Sequence, residues 1–385
     1  MEKLIVKNFG PIKEAEIDLT KYVVFIGDTS TGKSVLAKLI LIFRDSFLLL
    51  SLTDSLKIDF KSQLKRYNIN FDTNNTEIKY CDGNDVLCQL VDDEIFLVDV
   101  KLKHKNLNNV KNKLDELTKE SVLSQFVDFD KEIFFKFSLN HFLKNRNSTY
   151  VPAERILFSL IGNSLFGLLA NNVALPECYK DFAAKYEVAR DEMKEVKYES
   201  FALNYTYNKG IDEVFINNAK VLLSEASSGV QSLIPLLLVL DYEIKTNDVT
   251  FNYSKGIIIE EPELNLFPIK QKKLIDHVIS KVNSIKHKVI ITTHSPYILS
   301  SLDTLMLAKN TFNEHPYLKE KINSIVSEDK WIEYDDISVY EVRNDGKVYS
   351  IKNEEFRSID TNAIDGVSDI ISEEFDKLTE LRYAQ

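Results

Sequence analysis

The sequence predicts an α/β fold with a mostly parallel core sheet, an antiparallel β subdomain and an inserted helical subdomain, and three observations carry that prediction. Short apolar runs at Tyr22–Ile26, Gly256–Ile259 and Lys288–Thr292 are each followed by helical periodicity, as expected for strands buried on both faces by crossover helices. Residues 56–105 instead alternate polar and apolar side chains between turn clusters. Residues 106–197 read mostly as helix. The core is therefore assigned to residues 1–55 and 198–385, with an antiparallel β region at 56–105 and a helical insertion at 106–197.

Leu4–Val6 and Glu14–Leu19 read as two short strands around the turn Asn8-Phe9-Gly10-Pro11. Val35–Leu52 reads as a long helix packed against a sheet, its apolar run broken only by residues such as Lys38, Arg44 and Asp45. Tyr67–Phe71, Glu77–Tyr80 and Glu94–Val98, separated by Asp72–Asn75 and Asp82–Asp85, read as an antiparallel meander. In Asn106–Leu143, Val110, Leu114, Leu117 and Val122 stand at helical spacing, but no heptad register persists, which excludes a long coiled-coil arm. Ser148–Pro152 reads as a strand. Ile156–Pro176 carries no charge and approaches the length of a membrane span, yet Asn163, Asn171, Asn172 and two glycines mark it as a buried helix or helix pair. A charged amphipathic helix follows at Tyr179–Val196, then strands from Tyr198 to Leu223. Helices are expected after Ser228, from Ile269 and after Ser295. Ile337–Val342 and Lys347–Ile351 pair across Asn344-Asp345-Gly346, a strong hairpin signal, ahead of a helix at Asp365–Leu381.

With 385 residues the chain can bury a large core, and its net charge of −11 argues against broad nonspecific attachment to nucleic acid. Two local basic groups, Lys101 to Lys105 with Lys111, Lys113 and Lys119, and Lys270 with Lys272 and Lys273, read more simply as solvated faces. Cys81, Cys88 and Cys178 form no C-x-x-C pair, so neither a zinc site nor a disulfide framework is suggested. The first residues lack the apolar stretch and small-residue cleavage site of a secretory signal, and a cytoplasmic protein without membrane attachment is expected.

Gly27-Asp28-Thr29-Ser30-Thr31-Gly32-Lys33-Ser34 fits the phosphate-loop pattern G-x-x-x-x-G-K-[ST], with an apolar strand before it and a helix after it. The glycines let successive N–H groups face a phosphate, Lys33 reaches the β and γ phosphates of ATP or GTP, and Ser34 can hold Mg²⁺. Gly256–Ile259 ends in Glu260 and Glu261. A buried strand presents its carboxyl end to the nucleotide, so Glu260 can join the Mg²⁺ shell while Glu261 orients and deprotonates a water. Lys288–Thr293 likewise delivers His294 where a γ-phosphate can be sensed. Ser227-Ser228-Gly229, at the mouth of another helix, offers free N–H groups to a phosphate, and a capped helix start is the plain alternative.

In this order, Lys33, Ser227, Glu260, Glu261 and His294 resemble the layout of ABC-type P-loop NTPase heads, in the SMC, RecF and OLD-like branch often described as AAA-family ATPases of bacterial defence loci (AAA_15/AAA_21-like). Asn8-Phe9-Gly10-Pro11-Ile12, Tyr150-Val151-Pro152-Ala153-Glu154-Arg155, Glu260-Glu261-Pro262-Glu263-Leu264-Asn265-Leu266 and Thr293-His294-Ser295-Pro296 strengthen it. The resemblance implies a homodimer in which Ser227 and Gly229 of one subunit close over the ATP held by Lys33 of the other, until hydrolysis opens the clamp. Glu260 stands where many such proteins have Asp, Val230 near the usual Gln or Glu, and Phe267 where close relatives often have His. Relatives with a Toprim nuclease carry it after the ATPase, whereas the sequence after His294 reads as a hairpin and a helix without clustered acids. The expectation is an anti-phage ATPase without its own nuclease that controls a separately encoded effector, a nuclease or toxin. A RecF-like DNA clamp and a slowly hydrolysing ATP-stabilised scaffold are the competing readings.

Overall fold

The computed structural model describes residues 1–53, 55–98, 148–161, 175–216, 219–246, 254–360 and 362–383. Asn106–Leu143 and most of the uncharged stretch after Ile161 lie outside these residues.

The N-terminal hairpin pairs β1 (Glu2–Phe9) with β2 (Ile12–Asp18) across Asn8 and Gly10, both at positive φ. Its side chains alternate between a face sealed by Leu4, Val6, Ile12 and Ile17 and one left to solvent. After β3 (Tyr22–Ile26) the chain enters α1 (Lys33–Leu52), then β4 (Lys57–Asp59) and α2 (Phe60–Arg66). Strands β5 (Glu77–Asp82), β6 (Asp85–Val91) and β7 (Glu94–Leu97) complete an antiparallel sheet of order β2-β1-β5-β6-β7-β4, so the hairpin and the expected meander share one sheet. Tyr67–Phe71, expected as a strand, is instead the exit from α2. Tyr67 N–H still bonds back to Leu64 O, and Tyr67 and Ile69 are buried because a loop turning off a helix points alternate side chains inward, as a strand does.

Thr149–Val151 forms β8 inside the stretch expected as helical insertion, and α3 (Ile156–Ile161) and α4 (Glu177–Met193) follow. Strands β9 (Glu195–Tyr198), β10 (Leu203–Asn208), β11 (Ile211–Ile216) and β12 (Ala219–Leu222) make a separate antiparallel sheet. The chain continues through α5 (Ser228–Lys245), β13 (Gly256–Glu260), α6 (Pro268–Asn283), β14 (Lys288–Thr293), α7 (Pro296–Glu314), α8 (Lys319–Ile325), β15 (Ile337–Val342), β16 (Val348–Ser350) and α9 (Asn362–Tyr383).

The core sheet has the order β16-β15-β3-β14-β13-β8, with β8, β13, β14, β3 and β15 parallel. Ile259 lies beside Ile291, Ile291 beside Val24 and Val24 beside Val339, which brings the carboxyl ends of these strands to one edge. Successive residues serve opposite cores. Val24, Ile257, Ile259 and Ile291 meet the helices α5, α6 and α7, while Val23, Phe25, Ile258 and Ile290 meet α1 and the first antiparallel sheet. No helix among the described residues is long and apolar enough to cross a membrane.

Pro235 sits inside α5 and cannot donate to the carbonyl of Gln231, four residues earlier. Ser159 Oγ of α3 donates to that carbonyl at 2.6 Å, so the proline selects where α3 docks. Deeper in α5, Glu243 is 2% exposed and accepts from Lys185 Nζ of α4 at 2.7 Å and from Lys255 Nζ at 2.8 Å. Burial pushes its carboxyl up, but the two ammonium groups win and hold it down at about 2. A carboxylate depressed from the ordinary 4.5 contributes stability that is complete above the unfolded value and lost as pH falls toward about 2. Glu243→Gln is therefore expected to cost on the order of 3 kcal/mol at pH 7, because it removes the carboxylate charge that two ammonium groups share. In urea unfolding the gap to wild type should narrow steadily between pH 4.5 and the lowest pH at which the fold survives; a constant gap would contradict this account.

Candidate nucleotide-hydrolysis site

The loop between β3 and α1 needs its glycines for steric reasons. Gly27 has φ +150°, and a Cβ there would lie 2.2 Å from the Val342 carbonyl oxygen; Gly32 has φ +107°, and a Cβ would lie 2.5 Å from Ile12 Cδ1. The turn Asn8–Ile12 and the strand β15 thus press on the loop from both sides. Ser30 takes φ +61° between them. Asp28 Oδ1 accepts the Thr29 N–H at 2.7 Å, and Thr31 Oγ1 donates to Asp28 O at 2.9 Å. The N–H and hydroxyl of Thr29, with Asn344 of the β15–β16 hairpin, hold the Asp28 carboxyl below its usual range.

No side chain caps α1 at its start. A cap is worth about 1 kcal/mol, whereas burying Leu36, Leu39, Ile40, Leu41, Ile42, Phe43 and Leu50 stabilises the helix by roughly 10–20 kcal/mol before entropy is counted. Packing can hold the helix without the cap, and the first N–H groups keep their capacity for an anion. Lys33, 5% exposed, donates to Gly27 O at 2.9 Å and Asp28 O at 2.7 Å, and its Nζ lies 3.5 Å from His294 Nδ1. Burial lowers its pKa against the pull of Glu261 and Asp28.

Glu260 ends β13, 5% exposed. Tyr150 of β8 donates to its Oε2 at 2.8 Å, Lys38 of α1 lies 3.6 Å from its Oε1, and Ser34 is near enough to act on the carboxylate. Burial raises its pKa, opposed by those three neighbours. Oε1 is buried without a hydrogen bond and Ser34 is beside it, so the pair fits a Mg²⁺ ion. Among the described residues no three His, Cys, Asp or Glu side chains form a metal cage, so such an ion would take its other ligands from phosphate and water.

Glu261 has φ +43°, a conformation uncommon for a residue with a side chain, and its N–H donates to Thr292 O at 2.9 Å. Its Oε1 lies 3.3 Å from His294 Nε2, and both side chains remain about 30% exposed, at 28% and 31%. Lys33, His294 and Glu261 therefore stand together through contacts from Lys33 to His294 and from His294 to Glu261, with Ser34 and Glu260 as their immediate chain neighbours.

Residues 163–299 match a family model described as an AAA ATPase domain. This span, just over a third of the chain, takes in Ser227–Gly229, Glu260, Glu261 and His294 and leaves out the loop at Gly27–Ser34. No curated protein matches the chain. Among solved structures, the chain is similar to an SMC head bound to the C-winged helix domain of ScpA, at 12% identity and TM-score 0.36, covering 92% of this chain and 98% of that one. The SMC head domain from Thermotoga maritima is 11% identical over 78% of this chain and 90% of its own, with TM-score 0.33. An ATP-binding cassette of an ABC transporter in its ADP conformation is 13% identical over 93% of both chains, with TM-score 0.35.

Ser227 and Ser228 are exposed, and the Ser227 side chain makes no capping bond to α5. Among the described residues no hydrogen bond joins them to the loop at Gly27–Ser34. Gly229 is pressed against the turn after Glu261 instead, since a Cβ there would lie 2.8 Å from Asn265 O. Val230 is partly buried against the core, and Phe267 is 76% exposed.

Four supporting residues received no role from the sequence alone. Lys38 and Tyr150 hold Glu260; Glu263 and Gln271 hold the tip of β14. Glu263 Oε1 accepts from Thr293 Oγ1 and from the His294 N–H, each at 2.7 Å, while Ser295 Oγ donates to Gln271 at 2.6 Å. The acid-rich string Glu260-Glu261-Pro262-Glu263 was a signal for Glu263, though its partner is set by the adjacency of β13 and β14. Glu263→Ala is expected to lower stability by about 2 kcal/mol, because two bonds to a carboxylate are lost. It should also speed exchange of the His294 amide in hydrogen-exchange mass spectrometry; unchanged protection of the β14 tip would refute the latch.

Proposed function

We propose that the chain binds and hydrolyses MgATP as an ABC-type ATPase, closes as a homodimer over the nucleotide, and uses this cycle as a sensor and switch for a separately encoded effector, a nuclease or toxin, in bacterial anti-phage defence. The observation that carries the ATPase reading is the meeting of Lys33, Ser34, Glu260, Glu261 and His294 at the carboxyl ends of three adjacent parallel strands. The match of residues 163–299 to an AAA ATPase domain supports it. The defence role and the effector rest on the resemblance of the motifs.

Each group has a task. The loop N–H groups and Lys33 would take the β and γ phosphates, which requires Lys33 to exchange its bonds to the Gly27 and Asp28 carbonyls for phosphate oxygens. Ser34 and Glu260 would hold Mg²⁺, which supplies charge neutralisation to the phosphates. Glu261 accepts a proton from the attacking water as the bond between the γ phosphorus and the leaving diphosphate oxygen breaks. His294 donates toward Glu261 and orients that carboxylate. Exposed Ser227 and Ser228 fit donors offered to a second copy's nucleotide.

A DNA clamp finds less support. The net charge is −11, Lys270 donates to Phe201 O, and Lys272 pairs with Asp276.

Radioactive ATP hydrolysis tests the reading. Glu261→Gln should retain nucleotide binding and lose on the order of 10²- to 10⁴-fold in turnover. Lys33→Ala should lose both. Ser227→Arg and Lys33→Ala proteins, each inactive alone, should regain one working site per mixed dimer; no activity on mixing would remove the shared-site reading.

A further inference from the structure

Arg155 is 1% exposed, and its guanidinium spends all five N–H donors on backbone carbonyls. Nε donates to Ser232 O of α5 at 3.0 Å. Nη1 donates to Pro152 O at 3.2 Å and Glu260 O at 2.9 Å, and Nη2 donates to Glu261 O at 3.0 Å and Pro262 O at 3.1 Å. Among the described residues no carboxylate comes within ion-pair distance of it. A buried charge served only by carbonyls is costly, so the arrangement calls for a physical reason.

The three consecutive carbonyls supply one. Glu260 closes the ladder of β13 and the Glu261 carbonyl also accepts the Leu264 N–H, and around Glu261 at φ +43° the carbonyls of Glu260, Glu261 and Pro262 converge on the cation. Any relaxation of Glu261 toward ordinary φ would swing these carbonyls away and leave a buried guanidinium unsatisfied. The same cation holds α5 one turn inside Ser227–Gly229, beside the Gln231 carbonyl to which Ser159 donates.

We propose that Arg155 is a positioning residue for hydrolysis: it fixes the Glu261 turn in its strained conformation and ties it rigidly to the start of α5, so the nucleotide-facing acid and the exposed serines move as one body. The proposal rests on the ATPase reading of the site. Lysine keeps the charge but cannot make the planar five-fold contact.

The experiment is Arg155→Lys, with Arg155→Ala as the harsher variant. Turnover of ATP by Arg155→Lys should fall on the order of 10- to 100-fold with KM and ATP affinity nearly unchanged, since the group sets geometry and not binding. Added to Glu261→Gln, the substitution should cost little more, because both act through one carboxylate. Guanidinium ion at millimolar levels should restore part of the turnover of Arg155→Ala. Hydrogen exchange over Glu261–Leu266 and over Ser227–Ser232 should rise together in Arg155→Lys. Wild-type turnover in Arg155→Lys, a fully additive loss with Glu261→Gln, or unaltered exchange in both segments would each overturn the proposal. If the wild-type protein hydrolyses no ATP, the reading of the site fails, and the paired exchange measurement still decides whether Arg155 joins the two segments.

Discussion

A parallel sheet covered on both faces can show polar groups only at its ends, and that constraint organises this molecule. The strands β3, β13 and β14 are buried along nearly their whole length, their side chains divided between the core under α5, α6 and α7 and the core around α1. Every residue of the candidate site is either the last of a strand, the first beyond it, or the first turn of the helix it feeds. Parallel register then aligns those ends without any further device. The apolar run and the polar group that follows it are therefore one feature: burial of the first places the second.

Holding these ends still is a separate problem, because each is a turn. Backbone groups solve most of it. Lys33 lies across the carbonyls of its own loop, Glu263 takes the N–H of His294, and the carbonyls after Glu260 meet the guanidinium of Arg155. The positive φ at Glu261 and the close contact of Gly27 with Val342 are strained or crowded arrangements that persist because several contacts determine them at once. The site is stiff where the acid sits and open where the serines sit.

This contrast bears on the exposed start of α5. A helix whose first serine neither caps it nor meets the loop on its own chain leaves polar groups facing outward, yet Gly229 and Ser232 bind the same start to the turn after Glu261. Rigid attachment on the inner side and exposure on the outer side suit a surface completed by another molecule.

Much of this was legible in the chain. The phosphate loop, the acids after Gly256–Ile259, the histidine after Lys288–Thr293 and the hairpin at Asn344–Gly346 are local patterns, dictated by glycine conformations, by period and by the apolar length of a buried strand. Tyr67–Phe71 misled because alternation is shared by a strand and by a loop leaving a helix. The strand at Ser148–Pro152 was legible, but its place in the core sheet, outside the helical insertion assigned to residues 106–197, depends on pairing with residues more than a hundred positions away. The sequence by itself determined which polar residues stand at which strand ends. Only the tertiary structure decided which groups hold them: Lys38 and Tyr150 for Glu260, Glu263 for His294, Arg155 for the Glu261 turn. Those contacts join remote segments through backbone carbonyls and single hydrogen bonds, and such contacts leave no period in the sequence.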